Sequence, residues 1–67
     1  MTAAQFELID EVEAEAILRW RLDELVRVGY DVGSALIVAS HVEVNLHDAC
    51  NLLRRGCPVE TALRILL

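Results

Sequence analysis

The sequence predicts an all-α fold, a small helical bundle of four helices with a long N-terminal helix. Three observations predict it. Apolar residues recur at three- and four-residue steps along most of the chain. Cap residues and glycines punctuate those stretches where helices should begin and end. No strand signal appears, because the β-branched runs are short and embedded in helix-punctuated sequence.

The first helix opens at Thr2, with Gln5 placed to complete a capping box. Phe6, Ile9, Val12, Ala16, Ile17 and Trp20 then follow at helical spacing, continued by Leu22, Leu25 and Val26. Neither Gly nor Pro interrupts residues 2–28, so one long helix is allowed, and a break near residues 14–18 is allowed equally. Gly29 ends this stretch as a residue able to take a positive φ. Asp31 caps a second helix over residues 32–40, and Asn45 caps a third over residues 46–55, which Gly56 closes. Pro58 opens the fourth helix, at a position where its missing N–H is harmless. The chain divides accordingly into an acidic amphipathic helix, residues 1–21, and a bundle, residues 22–67.

An internal repeat runs through the bundle at an offset of 27 residues. It pairs Leu25 with Leu52, Arg27 with Arg54, Gly29 with Gly56, Val32 with Val59, Ala35 with Ala62 and Leu36 with Leu63. Both copies read as helix end, glycine corner, next helix. Two similar corners meeting the same packing demand would produce this pattern, and so would a pseudo-symmetric pair of helical hairpins.

Val28-Gly29-Tyr30, then Ala35, then Asn45-Leu46-His47-Asp48-Ala49-Cys50-Asn51-Leu52-Leu53 carry a family likeness. In order they are similar to the Met-Gly-Phe/Tyr loop, the core-facing small residue of the second helix, and the Asn-Val-Glu-x-Ala-Val-x-x-Leu third helix of ubiquitin-associated (UBA) domains. Leu22–Gly56, about half of the chain, thus resembles a UBA-like three-helix domain. Physical reasons stand beside the likeness: Gly29 makes the corner, Ala35 and Ala49 let helices approach, and Leu46, Cys50 and Leu53 form one stripe. In ubiquitin-binding members the glycine loop and the end of the third helix make the contact. The resemblance carries that contact to Val28, Gly29, Tyr30, Leu52 and Leu53. Val28 stands where the family has Met, and the helix after Pro58 is expected to pack against or near the patch.

Composition narrows the function. Sixty-seven residues make one domain at most, and a chain of this size buries only about 60% of the surface its unfolded form exposes. Yet 55% of the residues are apolar and mean hydropathy is +0.40, so apolar side chains should be left at the surface for a partner. The net charge of −5 is concentrated in residues 1–24, where seven acids face only Arg19 and Arg21. That acidic arm opposes nucleic acid and anionic membrane and suits a protein partner with a basic surface. Glycine corners are also found in helix-hairpin-helix DNA-binding modules, but Gly29 and Gly33 are not spaced as Gly-x-Gly and Gly56 has no second glycine. No transmembrane segment or signal peptide is visible, so the cytoplasm is expected. All six basic residues are Arg, a bias expected of a GC-rich bacterial genome, in which ubiquitin itself would not be the partner.

Chemistry has little to work with. His41, His47, Cys50 and Cys57 are the only candidate zinc ligands, and their spacing matches no paired-cysteine motif. Isolated cysteines more often pack as small hydrophobes, so no metal, cofactor or catalytic residue is assigned. The expected function is a non-enzymatic protein–protein interaction module, an adaptor or small accessory subunit of a larger bacterial complex. Its candidate contact residues are Phe6, Ile9, Val12, Ile17 and Trp20 on the N-terminal helix, with Val28, Tyr30, Leu52 and Leu53 from the UBA-type patch. A homo-oligomer is expected as well; a homodimeric structural protein paired through the first group is the alternative function, and a small zinc protein using His47 and Cys50 is another.

Overall fold

The apolar spacing and the caps give five helices and no strand in a computed structural model that describes all 67 residues. They are α1 (Ala3–Glu7), α2 (Glu11–Val28), α3 (Val32–Ser40), α4 (Leu46–Arg54) and α5 (Val59–Leu66). The all-α expectation holds, with one helix more than expected. The extra one arises because the N-terminal stretch breaks at residues 8–10, upstream of the break considered at 14–18. Its cause is Asp10, whose carboxylate accepts from the Glu13 N–H at 2.9 Å and so starts a new helix. Thr2 and Gln5 form the expected capping box on α1. Asp31 and Asn45 cap α3 and α4, accepting from the N–H groups of Ser34 and Asp48.

The repeat at offset 27 is a pair of matching helix ends. Tyr30 N–H donates to Leu25 O and Gly29 N–H to Val26 O, both at 3.1 Å. Cys57 N–H donates to Leu52 O and Gly56 N–H to Leu53 O, both at 3.0 Å. Each is a Schellman motif, and each glycine takes the positive φ the motif needs, +126° at Gly29 and +91° at Gly56. Helix α2 packs on α3 and α4, and α5 packs on α3 and α4 from the other side. Exchanging α2 with α4 and α3 with α5 therefore maps the set of packed pairs onto itself. The symmetry is broken by exposure: Val38 is fully buried between its neighbours, whereas its counterpart Ile65, on the outermost helix, is 61% exposed.

Only eleven residues are buried, ten of them apolar. Ala35, Ala39, Ala49 and Ala62 are among them, and these small side chains let four helices converge around Tyr30, Leu25 and Val38. The Tyr30 hydroxyl donates to Ala49 O at 2.8 Å, which ties the α2–α3 corner to α4. Burial first, and the neighbouring Cys50 and Cys57 thiols after it, push the phenol above its ordinary pKa.

The eleventh buried residue is Arg21, 6% exposed, and no carboxylate is hydrogen-bonded to it. Its Nε donates to Ala39 O at 3.2 Å, and one Nη donates to Val44 O at 2.9 Å, His41 O at 3.2 Å and Val38 O at 3.4 Å. Ala39 O and Val44 O have no other donor at the end of α3 and the following turn, whereas Val38 O also accepts from the His41 N–H and His41 O from the Val44 N–H. Burial lowers the guanidinium pKa, and Glu43 partly offsets it. N-terminal to Arg21, α2 leaves the bundle. Residues 11–20 contribute nothing to the core, and the molecule measures 35 × 18 × 17 Å as a result. The helix is unbroken across residue 21, so the acidic arm is a rigid continuation of a bundle helix. No helix is long and apolar enough to cross a membrane.

Two stability measurements follow. Arg21→Leu is expected to cost about 3 kcal/mol, because buried carbonyls lose their donors, and Arg21→Lys less, since an ammonium lacks the planar fork. Urea unfolding checks the order, and an Arg21→Leu protein as stable as the parent would show that water serves those carbonyls instead. The Ser34 hydroxyl, and then its N–H, hold the Asp31 carboxyl below its ordinary value of 3.8. The stability Asp31 contributes is therefore complete above the unfolded pKa and is lost as pH falls through the lower folded one. Asp31→Asn keeps a cap without the titration, so its thermal midpoint should fall less than that of the parent between neutral pH and pH values below 3.8.

Candidate protein-binding site

The nine candidate contact residues separate into two groups. Tyr30 is 2% exposed and belongs to the core. Val28, Leu52 and Leu53 are half-buried and pack against that core. Leu53 also fills the space behind the glycine corner, its Cδ2 lying 3.4 Å from where a Cβ on Gly29 would sit. The UBA-type patch is therefore not an open surface in this chain. The physical reason is the tiny interior: with ten apolar residues buried, the side chains at the glycine corner are needed to close it. The last helix completes that closure, as Val59, Leu63 and Leu66 pack on the same core.

The second group lies on the arm. Val12 is 81% and Trp20 58% exposed, while Phe6, Ile9 and Ile17 are half-buried without joining the core. Leu8, 89% exposed beside them, was not among the candidates. Helical periodicity explains why these residues divide. Arg21, Leu25 and Val28 of α2 point inward, Leu18 and Leu22 turn toward α3, Trp20 turns toward α4, and Val12, Ala16 and Asp23 face outward.

Two grooves flank the arm where it joins the bundle. On the α4 side, Trp20, Glu24, Leu46, His47, Cys50 and Arg54 line a shallow recess. On the α3 side, Leu18, Leu22, Leu36 and Ala39 line a cleft of about 250 Å³, rimmed by Glu15, Arg19 and Ser40. Leu36 is 52% exposed, and Val32 and Ile37 nearby on α3 are 59% and 47% exposed. These α3 residues were missed because the second helix was read only for its core-facing Ala35. The uncharged stretch Val32–Ala39, continuously apolar from Ala35 to Ala39, was the available signal.

Electrostatically the arm is one-sided. Glu7, Asp10, Glu11, Glu13 and Glu15 precede its first cation, Arg19. Arg19 pairs with Glu15 at 3.8 Å and Arg27 with Glu24 at 3.2 Å. Both are exposed enough to add little stability.

His47 and Cys50 share the Trp20 recess, yet nowhere do three His, Cys, Asp or Glu side chains gather as a metal centre would require. Cys50 and Cys57 are both free thiols. Burial raises the Cys50 pKa, an effect Arg54 opposes and Glu24 reinforces, so the thiol stays protonated at neutral pH. Compared with family models, curated proteins and solved structures, the chain matches none.

Cys50, at 4% exposure, should resist alkylation by iodoacetamide in the folded protein and react once urea unfolds it. Mass spectrometry of peptides labelled under both conditions checks this. Rapid native labelling at Cys50 would mean that the α2–α4 contact opens freely.

Proposed function

We propose that this chain is a non-catalytic protein-interaction module, a UBA-like bundle serving as adaptor or small accessory subunit of a larger bacterial complex. Its contact element is the acidic arm, residues 1–20, of which residues 11–20 continue a bundle helix without a break. The observation behind this reading is the arm itself: a helix that leaves the core while keeping Val12 and Trp20 exposed, with Leu8 exposed just before it. Exposed apolar side chains clustered on a projecting element are costly to leave in water and gain most from a partner.

The UBA-like reading is supported by the succession of α2, α3 and α4, by the glycine corner at Val28-Gly29-Tyr30 and by the buried alanines at positions 35 and 49. It concerns the scaffold, since the residues that would touch ubiquitin serve the core here. The cytoplasm suits two free cysteines, which stay reduced there.

Pairing of the arm with the arm of a second copy is the rival arrangement. It would bring together two sets of five carboxylates with no cation before Arg19, a juxtaposition of like charge that opposes it at neutral pH. A basic partner surface has the opposite effect.

Light scattering on the purified protein is expected to give the monomer mass. A tagged chain carrying Val12→Asp and Trp20→Ser should stay folded, since both positions lie outside the core. The same chain should lose the stoichiometric partner that the parent retains from extract of its own cells. Retention of that partner by the variant would overturn the arm as contact element, and an arm-dependent dimer would establish the rival.

A further inference from the structure

The α2–α3 cleft has the form of a seat for one more helix. Leu18 and Leu22, one turn apart, make one wall, and Leu36 and Ala39 make the other. Both walls are helices whose backbone groups are already paired along their length, and the chain has no strand edge. An extended peptide would find no backbone partners there, whereas a helix arrives with its own backbone satisfied. Side chains four residues apart on one wall and three apart on the other form the ridges a third helix packs against.

Charge gives the occupant a polarity. Glu11, Glu15, Leu18 and Leu22 follow one another at four-, three- and four-residue steps, so they form one edge of α2. The two leucines lie in the cleft, and Glu11 and Glu15 continue the same edge outward along the arm. The opposite wall, Val32–Ser40, carries no charged side chain. The field along the cleft therefore runs from near neutral at the bundle, where Arg19 on the rim pairs with Glu15, to negative farther out along the arm, where Glu7, Asp10, Glu11 and Glu13 bring no side-chain cation with them.

Resting on the reading of the chain as an interaction module, we propose that this cleft binds an amphipathic helix of a partner protein, one end of which is basic. Its apolar stripe seats between Leu18, Leu22 and Leu36, and its Lys or Arg end lies over Glu11 and Glu15. A second copy of this chain is a poor occupant. Of its six arginines, Arg21 is buried and Arg19 and Arg27 are paired, which leaves Arg54 and Arg55 at the end of α4 and Arg64 on α5, two helices whose apolar faces already pack on the core.

The test uses the full chain, isotope-labelled, and two synthetic helical peptides of about four turns. Both carry leucines at i, i+3, i+4 and i+7; one bears arginines at one end and the other glutamates at the same positions. The arginine peptide is expected to shift the amide signals of Leu18, Leu22, Leu36 and Ala39, and to bind at least tenfold more tightly than the glutamate peptide. Added salt should erase most of that difference. Leu36→Glu should weaken binding tenfold or more, and the double change Glu11→Gln, Glu15→Gln, on exposed positions that leave folding intact, a few-fold. Ile65→Glu on α5 should change nothing. Equal binding of both peptides, shifts centred on α4 and α5, or a dimer of the chain that occupies the cleft would each overturn the proposal. An intact effect of Val12→Asp and Trp20→Ser on the cellular partner, with no peptide binding in the cleft, would sink this inference alone and leave the arm as contact element standing.

Discussion

One guanidinium organises the path of the chain. Arg21 reaches from α2 to four carbonyls, those of Val38, Ala39, His41 and Val44, and so fixes where α3 ends and how the chain turns toward α4. Helix C-termini concentrate unpaired carbonyls and the negative end of the helix dipole. A cation placed there needs no carboxylate to make its burial tolerable. The planar fork matters, because one side chain must serve acceptors at different heights around a turn, and lysine has no such geometry. Desolvation lowers the Arg21 pKa, yet an arginine starts so high that the charge is kept. The packing of α2 on α3 and the turn that leads into α4 share this anchor.

The same anchor sets what projects. Arg21 is the first buried residue of the chain, and everything N-terminal to it lies beyond the core. Because α2 runs without a break from Glu11 through Arg21 to Val28, the arm inherits its direction from the bundle. Ten buried apolar residues, four of them alanine, make a small interior. A larger share of the chain's apolar content therefore stays outside, on the arm and on the open face of α3. Exposure in this molecule follows from the size of the core as much as from any local sequence feature.

Much of the fold was legible because short-range chemistry decides it. Thr2 with Gln5, Asp31, Asn45, Gly29, Gly56 and Pro58 each sit where the sequence placed a helix boundary. The repeat at offset 27 was visible as identities, and its meaning, two Schellman ends, followed from the backbone. Other features depended on long-range packing. Asp10 was counted as one more surface acid, although an Asp ahead of a helical run is also a start signal. Arg21 was assigned to the arm, although the α2 stripe of Leu18, Leu22, Leu25 and Val28 encloses it. A periodicity that includes a charged residue would have pointed to it. Tyr30 was placed in a surface patch by family likeness, and it went into the core because few other large side chains were at hand to fill it. The candidate site was legible in part: the arm residues were found from charge and size, but the α3 wall, on an element read only for its buried face, was not.

These constraints bear directly on how a surface so small can bind with useful affinity. Association costs translational and rotational freedom and, where elements are loose, the ordering of backbone as well. A free acidic peptide of the same composition would lose that ordering entropy at the moment of binding. Here the ordering of α2 is already part of folding, because Arg21 and Leu25 hold its C-terminal half inside the bundle. The carboxylates at Glu11 and Glu15 then hold a fixed register against Leu18 and Leu22 along one helix edge. Fixed register turns a diffuse negative charge into a directional one: it favours a basic group at one end of the cleft and penalises it nowhere else on α3. The apolar walls supply the contact area, and the arm decides which way round a partner lies.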